Sequence, residues 1–232
     1  MTTTEHQRQT PPESSPSKEA NPATSPLVPT TLWLIRHAEV DTAYHNVFGG
    51  RIDMALSPAG LDQAAALARY LHGRKFDAVY ASPMKRVQQT LAACTGNGLP
   101  SPVTMAELRE VDFGDWTGLS WDQVQAKFGI SPLTWLEQLE CDNILNAECS
   151  AALRARLQPA VSEVMSRHQG KQVALFCHGG VIRMLLAILL DWPFTRFAAV
   201  EIDYASVTQV ISSGARARVQ LLNFSPWRDL ET

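Results

Sequence analysis

The chain has 232 residues, 45% of them hydrophobic, and a formal net charge of -3. It can therefore bury one substantial core, and its acidic balance argues against a general nucleic-acid binder, which carries a basic surplus. The most apolar stretch, Val181 to Leu190, is too short to span a membrane and contains Arg183. No charged-then-apolar leader opens the sequence, so the expected compartment is the cytoplasm. Four cysteines without CxxC spacing predict a reduced, disulfide-free protein and argue against a zinc site built from them.

Residues 1–29 are rich in Pro, Ser, Thr and Glu, lack an apolar period, and are read as a disordered tail. From residue 30 onward short apolar runs alternate with helical patterns. "TLWLI" is a strand, and "SPAGLDQAAALARYLHG" is a helix with Ser57 as N-cap, Pro58 at its first position and Gly73 as its stop. Its apolar face is expected to run through Leu61, Ala64, Ala68 and Leu71. "FDAVYA" is a second strand. Ser82-Pro83 repeats the cap signal and opens a helix through about Cys94, with Arg86 in its first turn.

"PVTMAEL" gives a short third strand. Helices are expected near 120–128, 132–139 and 149–168. "QVALFCH" is a further buried strand, followed by an almost wholly apolar, interior helix over Val181–Leu190. "SVTQVI", the turn "SSGA" and "RVQLLNF" form a C-terminal hairpin. The alternation predicts an α/β fold: a three-layer α/β/α sandwich with a mainly parallel sheet and a C-terminal β-hairpin. Ligands of such sheets sit beyond the carboxyl ends of the strands.

"LWLIRH" and "VALFCH" are both apolar strands ending on a histidine, His37 and His178. As parallel neighbours they would deliver both imidazoles to one crevice, with Arg36 beside the first. The helix opening at Gly179 would aim backbone N–H groups at an anion there. Arg86, at the start of its helix, and the acidic segment after the third strand (Glu107, Glu110, Asp112, Asp115) point to the same end. Arginine forks suit phosphate, and a neutral imidazole beside them keeps a lone pair for attack. A carboxylate can protonate the leaving oxygen and then activate water. A metal site is the chemical competitor, since His and Glu are ligands, but two arginines would repel a divalent cation.

Five segments in order, "RHAEV", "GGRIDMALSPAG", "YASPMKRVQQT", "LREVDFGDWTG" and "FCHGGVIR", resemble the histidine phosphatase superfamily, also called phosphoglycerate mutase-like. The resemblance implies a catalytic domain over residues 30–232 acting on a small phosphorylated metabolite, without cofactor or metal. It implies His37 as the nucleophile that carries a phosphohistidine, Arg36, Arg86 and His178 as phosphoryl-holding groups with Gly179, and Glu110 as proton donor. Asp112 and Asp115 have no matching role and are read as surface or loop-shaping residues.

The sequence departs from the family pattern at Ala38, Val40, Ala43 and Thr117, and in "AECS". His45 or Asn46 would compensate for the asparagine usual at Ala43, and Glu148 would still reach the site. "FGDW" resembles the phosphatase members more than the mutases, so hydrolysis is favoured over mutation. A phospholigand-binding protein without turnover is the remaining alternative. Trp121, Trp135, Leu136 and Leu139 are read as helix-packing core in preference to pocket wall. The substrate's identity and the oligomeric state are not legible.

Overall fold

The structure, a computed structural model, describes residues 1–2, 28–96, 98–213 and 216–230. The tail reading therefore falls mainly on residues 3–27, outside the described residues, as do Gly214 and Ala215 of the expected hairpin turn. In chain order the elements are β1 (Thr30–Arg36), α1 (Pro58–Leu71), β2 (Ala78–Ala81), α2 (Lys85–Cys94), β3 (Val103–Thr104), α3 (Trp121–Phe128) and α4 (Trp135–Glu140). They continue with α5 (Ser150–Arg167), β4 (Gln172–Cys177), α6 (Gly179–Leu190), β5 (Val207–Ser212), β6 (Ala217–Phe224) and α7 (Pro226–Asp229).

The six strands form one sheet in the order β3-β2-β4-β1-β5-β6. The four on the β3 side are mutually parallel, and β5 and β6 run antiparallel. Strand alternation sorts the side chains into two cores. Leu32 and Leu34 of β1 and Val173 and Leu175 of β4 face α5 and α6. Trp33, Ile35, Ala174 and Phe176 face α1 and α2. Each fully buried leucine in these layers contributes roughly 1.5–3 kcal/mol. The three-layer sandwich is thus the observed architecture.

Register places the chemistry. Arg36 pairs with Cys177 across β1 and β4, so His37 and His178 follow side by side at the carboxyl end of the two central strands. Ala81 of β2 pairs with Phe176, and Ser82 joins the same end.

Local signals shape the helices, with three corrections. Ser57 caps α1, accepting from the Gly60 N–H at 2.9 Å, but Leu61 is 55% exposed. Gly60 brings the first turn onto the Glu39 carbonyl, where a Cβ would lie 2.1 Å from the oxygen. That contact aims Gly60, Gln63, Ala64, Leu67 and Leu71 inward and turns Leu61 out. The second helix begins at Lys85 and not at Pro83, and Ser82 does not cap it. Its first amide donates instead to Asp53 Oδ1 at 2.7 Å. The sixth helix starts at Gly179, two residues before the expected Val181. No described helix is long and apolar enough to cross a membrane.

Candidate active site

His37, 5% exposed, and His178, fully buried, meet edge to face with ring centroids 5.2 Å apart. His37 Nδ1 lies 2.8 Å from the Ala38 carbonyl oxygen. A carbonyl only accepts, so Nδ1 carries the proton and Nε2 keeps its lone pair. Arg86 Nε sits 3.2 Å from both His37 Nε2 and His178 Nδ1. His178 therefore holds its proton on Nε2 and donates it to Ser82 Oγ at 2.8 Å. Burial, reinforced by the charge of Arg86, holds both imidazoles well below their usual range.

Arg86 is 1% exposed and donates to the carbonyls of Ile52 and Gly50 at 2.8 and 2.9 Å. These bonds fix its fork in place. Burial lowers its pKa to about 10, so it stays cationic at neutral pH. Thr90 ties its backbone to the histidine segment, donating to the Arg86 carbonyl at 2.7 Å and accepting from the Ala38 N–H at 2.9 Å.

Arg36 donates through Nη1 to Ile202 O at 2.6 Å and lies 4.0 Å over the Tyr204 ring. Its Nε is buried without a protein partner. A buried, unpaired cationic donor is costly unless a ligand completes it.

Glu110 accepts from the Val111 N–H at 2.9 Å and the Gly180 N–H at 3.3 Å. Its carboxylate and the first turn of α6 are thereby held together. Arg36, His37, Arg86, Glu110 and Gly179 line one cavity of about 240 Å³; His178 does not line it, and meets the site through Arg86 Nε at 3.2 Å and the His37 ring. Five of the six residues expected to catalyse or bind thus share this cavity, whereas His178, and Glu107 of the acidic segment, are not in its wall.

The structure also corrects several expectations. Neither His45 nor Asn46 lines the cavity; Tyr44 does. His45 Nε2 turns away to the Val40 carbonyl at 3.2 Å, and Asn46 takes a positive φ of 54° in the turn. Glu148 does not reach the site: Arg156 holds it at 2.5 Å and Arg51 lies at 3.7 Å. Trp121 and Trp135 line the cavity, whereas Leu136 and Leu139 are fully buried core. The latter two follow Trp135 on the inward face of α4, so a single packing assignment could not hold for all four. Asp112 and Asp115 stay out of the cavity, accepting from Gly114 N and Asn146 Nδ2.

The structure adds further residues to the site: Ser82, which bears on His178, and the cavity-lining Tyr44, Val47, Phe48, Phe113, Arg183 and Tyr204. Arg183 stood in the quoted "FCHGGVIR" one turn after Gly179, which was the available signal; Tyr204 carried none. Among the described residues no three His, Cys, Asp or Glu side chains cluster as a metal site requires.

Comparison with known proteins finds both phosphatases and a mutase among the similar chains. Phosphoserine phosphatase 1 of Hydrogenobacter thermophilus is 26% identical over 194 residues, 84% of this chain and 92% of that protein. The 2,3-bisphosphoglycerate-dependent phosphoglycerate mutase of Rhizobium johnstonii is 33% identical over 169 residues, 68% of this chain and 79% of the other. A mycobacterial glucosyl-3-phosphoglycerate phosphatase structure superposes with a TM-score of 0.77 at 27% identity, covering 85% of this chain and all of that one. Residues 32–225, which hold both histidines and both arginines, match the histidine phosphatase superfamily (branch 1), and the chain belongs to that family.

Proposed function

We propose that this protein is a metal-independent phosphomonoesterase acting on a small phosphorylated metabolite through a phosphohistidine on His37. The observation that carries this reading is the orientation of the His37 ring. Its Nδ1–H is committed to Ala38, and its Nε2 lone pair accepts from Arg86 Nε in a cavity that also holds Arg36. Relatives named as phosphatases support hydrolysis.

An arriving phosphoryl oxygen takes over the Arg86 Nε–H, and the unpaired Arg36 Nε binds a second oxygen. Nε2 then attacks phosphorus in line while Glu110, having taken the acidic proton of the arriving ester monoanion, passes it to the departing alcohol oxygen. The two guanidiniums neutralise the equatorial oxygens, where charge sits in the transition state. Glu110, now a carboxylate, takes a proton from water. That water cleaves the N–P bond and releases inorganic phosphate.

The test is hydrolysis of p-nitrophenyl phosphate in excess chelator by wild type and His37→Ala. Loss of activity in the variant only, with acid-labile phosphate on His37 of the wild type, is expected. Equal rates discard the mechanism, and absence of any label with no turnover points to a phospholigand-binding protein.

A second reading, a mutase, is favoured by the 33% identity to the Rhizobium enzyme. Isomerisation of 3-phosphoglycerate in the presence of 2,3-bisphosphoglycerate distinguishes it.

A further inference from the structure

Building on the phosphatase reading, we propose that the site selects phosphomonoesters of uncharged aromatic or apolar alcohols, with Trp121 as the contact that grips the leaving group. The cavity wall is of mixed kind. Arg36, Arg86, His37 and Glu110 carry the charged groups, while Val47, Phe48, Phe113, Trp121 and Trp135 give an apolar part of a wall that also includes Tyr44, Tyr204 and Arg183.

Most of that wall is already braced. Phe113 packs on Phe48 at 5.0 Å and on Trp135 at 5.5 Å between centroids, and Trp135 continues to Phe194 at 6.3 Å. Trp121 differs. It occupies the first position of α3, held by its backbone N–H on the Asn46 carbonyl at 2.8 Å. Its side chain is 41% exposed and stacks on no other ring among the described residues. An apolar face with no ring partner, set in the wall of a cavity that also carries Arg36 and Arg86, suits an apolar group attached to a phosphate.

Charge accounting points the same way. The third arginine of the cavity, Arg183, is committed: Nε, Nη1 and Nη2 donate to the carbonyls of Phe197, Gly179 and Val200 at 3.2, 3.2 and 2.8 Å. Arg51 lies outside, near Asp112 and Glu148. Arg36 Nε is buried and unpaired, and the phosphoryl group takes it. The carboxylate of phosphoserine or of a phosphoglycerate would then sit against aromatic rings with no uncommitted cationic side chain of the cavity beyond Arg36 and Arg86, which the phosphoryl group occupies, and this is unfavourable. An apolar ring loses nothing by the same transfer and gains contact area.

The experiment compares kcat/KM for benzyl phosphate, O-phosphoserine and 3-phosphoglycerate. All three leave as aliphatic alcohols, so intrinsic reactivity does not set the order. Benzyl phosphate is expected to lead by about tenfold or more. Trp121→Ala should shrink that lead by about tenfold, and Trp121→Phe should keep most of it. An equal or faster rate on either carboxylate substrate overturns the inference while leaving the phosphatase reading intact. An equal fall on all three substrates in Trp121→Ala also overturns it. No turnover of any of the three, with wild type and His37→Ala indistinguishable, overturns both.

Discussion

The rings of His37 and His178 lie 5.2 Å apart, edge to face, because Arg36 and Cys177 are register partners on adjacent parallel strands. One Arg86 nitrogen serves both imidazoles at 3.2 Å. The remaining nitrogens are anchored on Ile52 and Gly50. Lysine supplies a point charge and cannot bridge two rings and two carbonyls at once. Arg86→Lys should lower kcat/KM on p-nitrophenyl phosphate by about 100- to 1,000-fold. A loss below about tenfold would show that charge alone suffices.

The depressed titration of His37 and His178 has a pH consequence whose sign follows from linkage. Between their lowered folded values and the ordinary imidazole value of about 6.5, the unfolded chain binds protons that the folded chain refuses. Stability from this source is complete above that ordinary value and is lost as pH falls through the window. The groups facing the pair are Arg86, Arg36, Tyr204 and Glu110. Urea midpoints at pH 5 and 7.5 should therefore differ more for wild type than for His37→Asn. The acid limb of kcat/KM should also lie below the ordinary imidazole value, since Nε2 remains unprotonated there.

The two glycines opening α6 separate a contact from a mere position. A Cβ on Gly180 would lie 2.7 Å from Glu110 Oε1 and 2.8 Å from Val111 Cγ2. On Gly179 its nearest neighbours would be Arg183 Nη1 at 3.3 Å and Arg36 Nε at 3.6 Å, outside the range of a hard clash and away from Glu110. Gly180→Ala should displace the carboxylate and lower kcat by about 10- to 100-fold. Gly179→Ala keeps its N–H and should lose less. Equal losses in the two variants would detach Glu110 from the rate.

How far the sequence could be read follows from these same elements. The two central strands were legible because apolar runs ending on a histidine are a local pattern, and parallel order then places both rings together. Ser82 was misassigned because Ser-Pro is locally a helix start, whereas its hydroxyl serves His178, 96 residues away. The amide it was expected to cap is taken by Asp53, which lies 32 positions earlier. Leu61 fits the helical period, yet the close approach at Gly60 rotates the packed face. Tyr204, under Arg36, lies in an irregular stretch with no period to read. Contacts distant in sequence, not propensities, account for each of these differences.

Ser82 yields a prediction of its own. Ser82→Ala leaves the His178 Nε2–H buried without an acceptor, which should cost about 1–3 kcal/mol of stability. It also frees the ring to exchange tautomers, so Arg86 Nε loses a fixed acceptor. Activity should fall, and Ser82→Thr should restore most of it. If Ser82→Ala alters melting temperature but leaves kcat unchanged, the serine is structural only.

Arg156 tests whether Glu110 is positioned from behind. It lies on α5, outside the cavity, and pairs with Glu148 through Nε at 2.5 Å and Nη2 at 2.8 Å. The same guanidinium donates to the carbonyls of Glu107 and Glu110. It thus joins the loop that carries the carboxylate to the N-terminal turns of α5. Removing it leaves two carbonyls and the Glu148 carboxylate, which is only partly exposed, without their donor. Arg156→Ala should lower kcat by about tenfold or more through misplacement of Glu110, with a smaller change in KM, because Arg36 and Arg86 still hold the phosphoryl group. Arg156→Lys, which keeps the charge but not the fork, should recover only part of the loss. The informative readout is leaving-group dependence. A misplaced acid slows esters of poor leaving groups most, so benzyl phosphate hydrolysis should fall further than p-nitrophenyl phosphate hydrolysis. Equal losses on the two esters would mean that Arg156 supports the fold and not the proton donor.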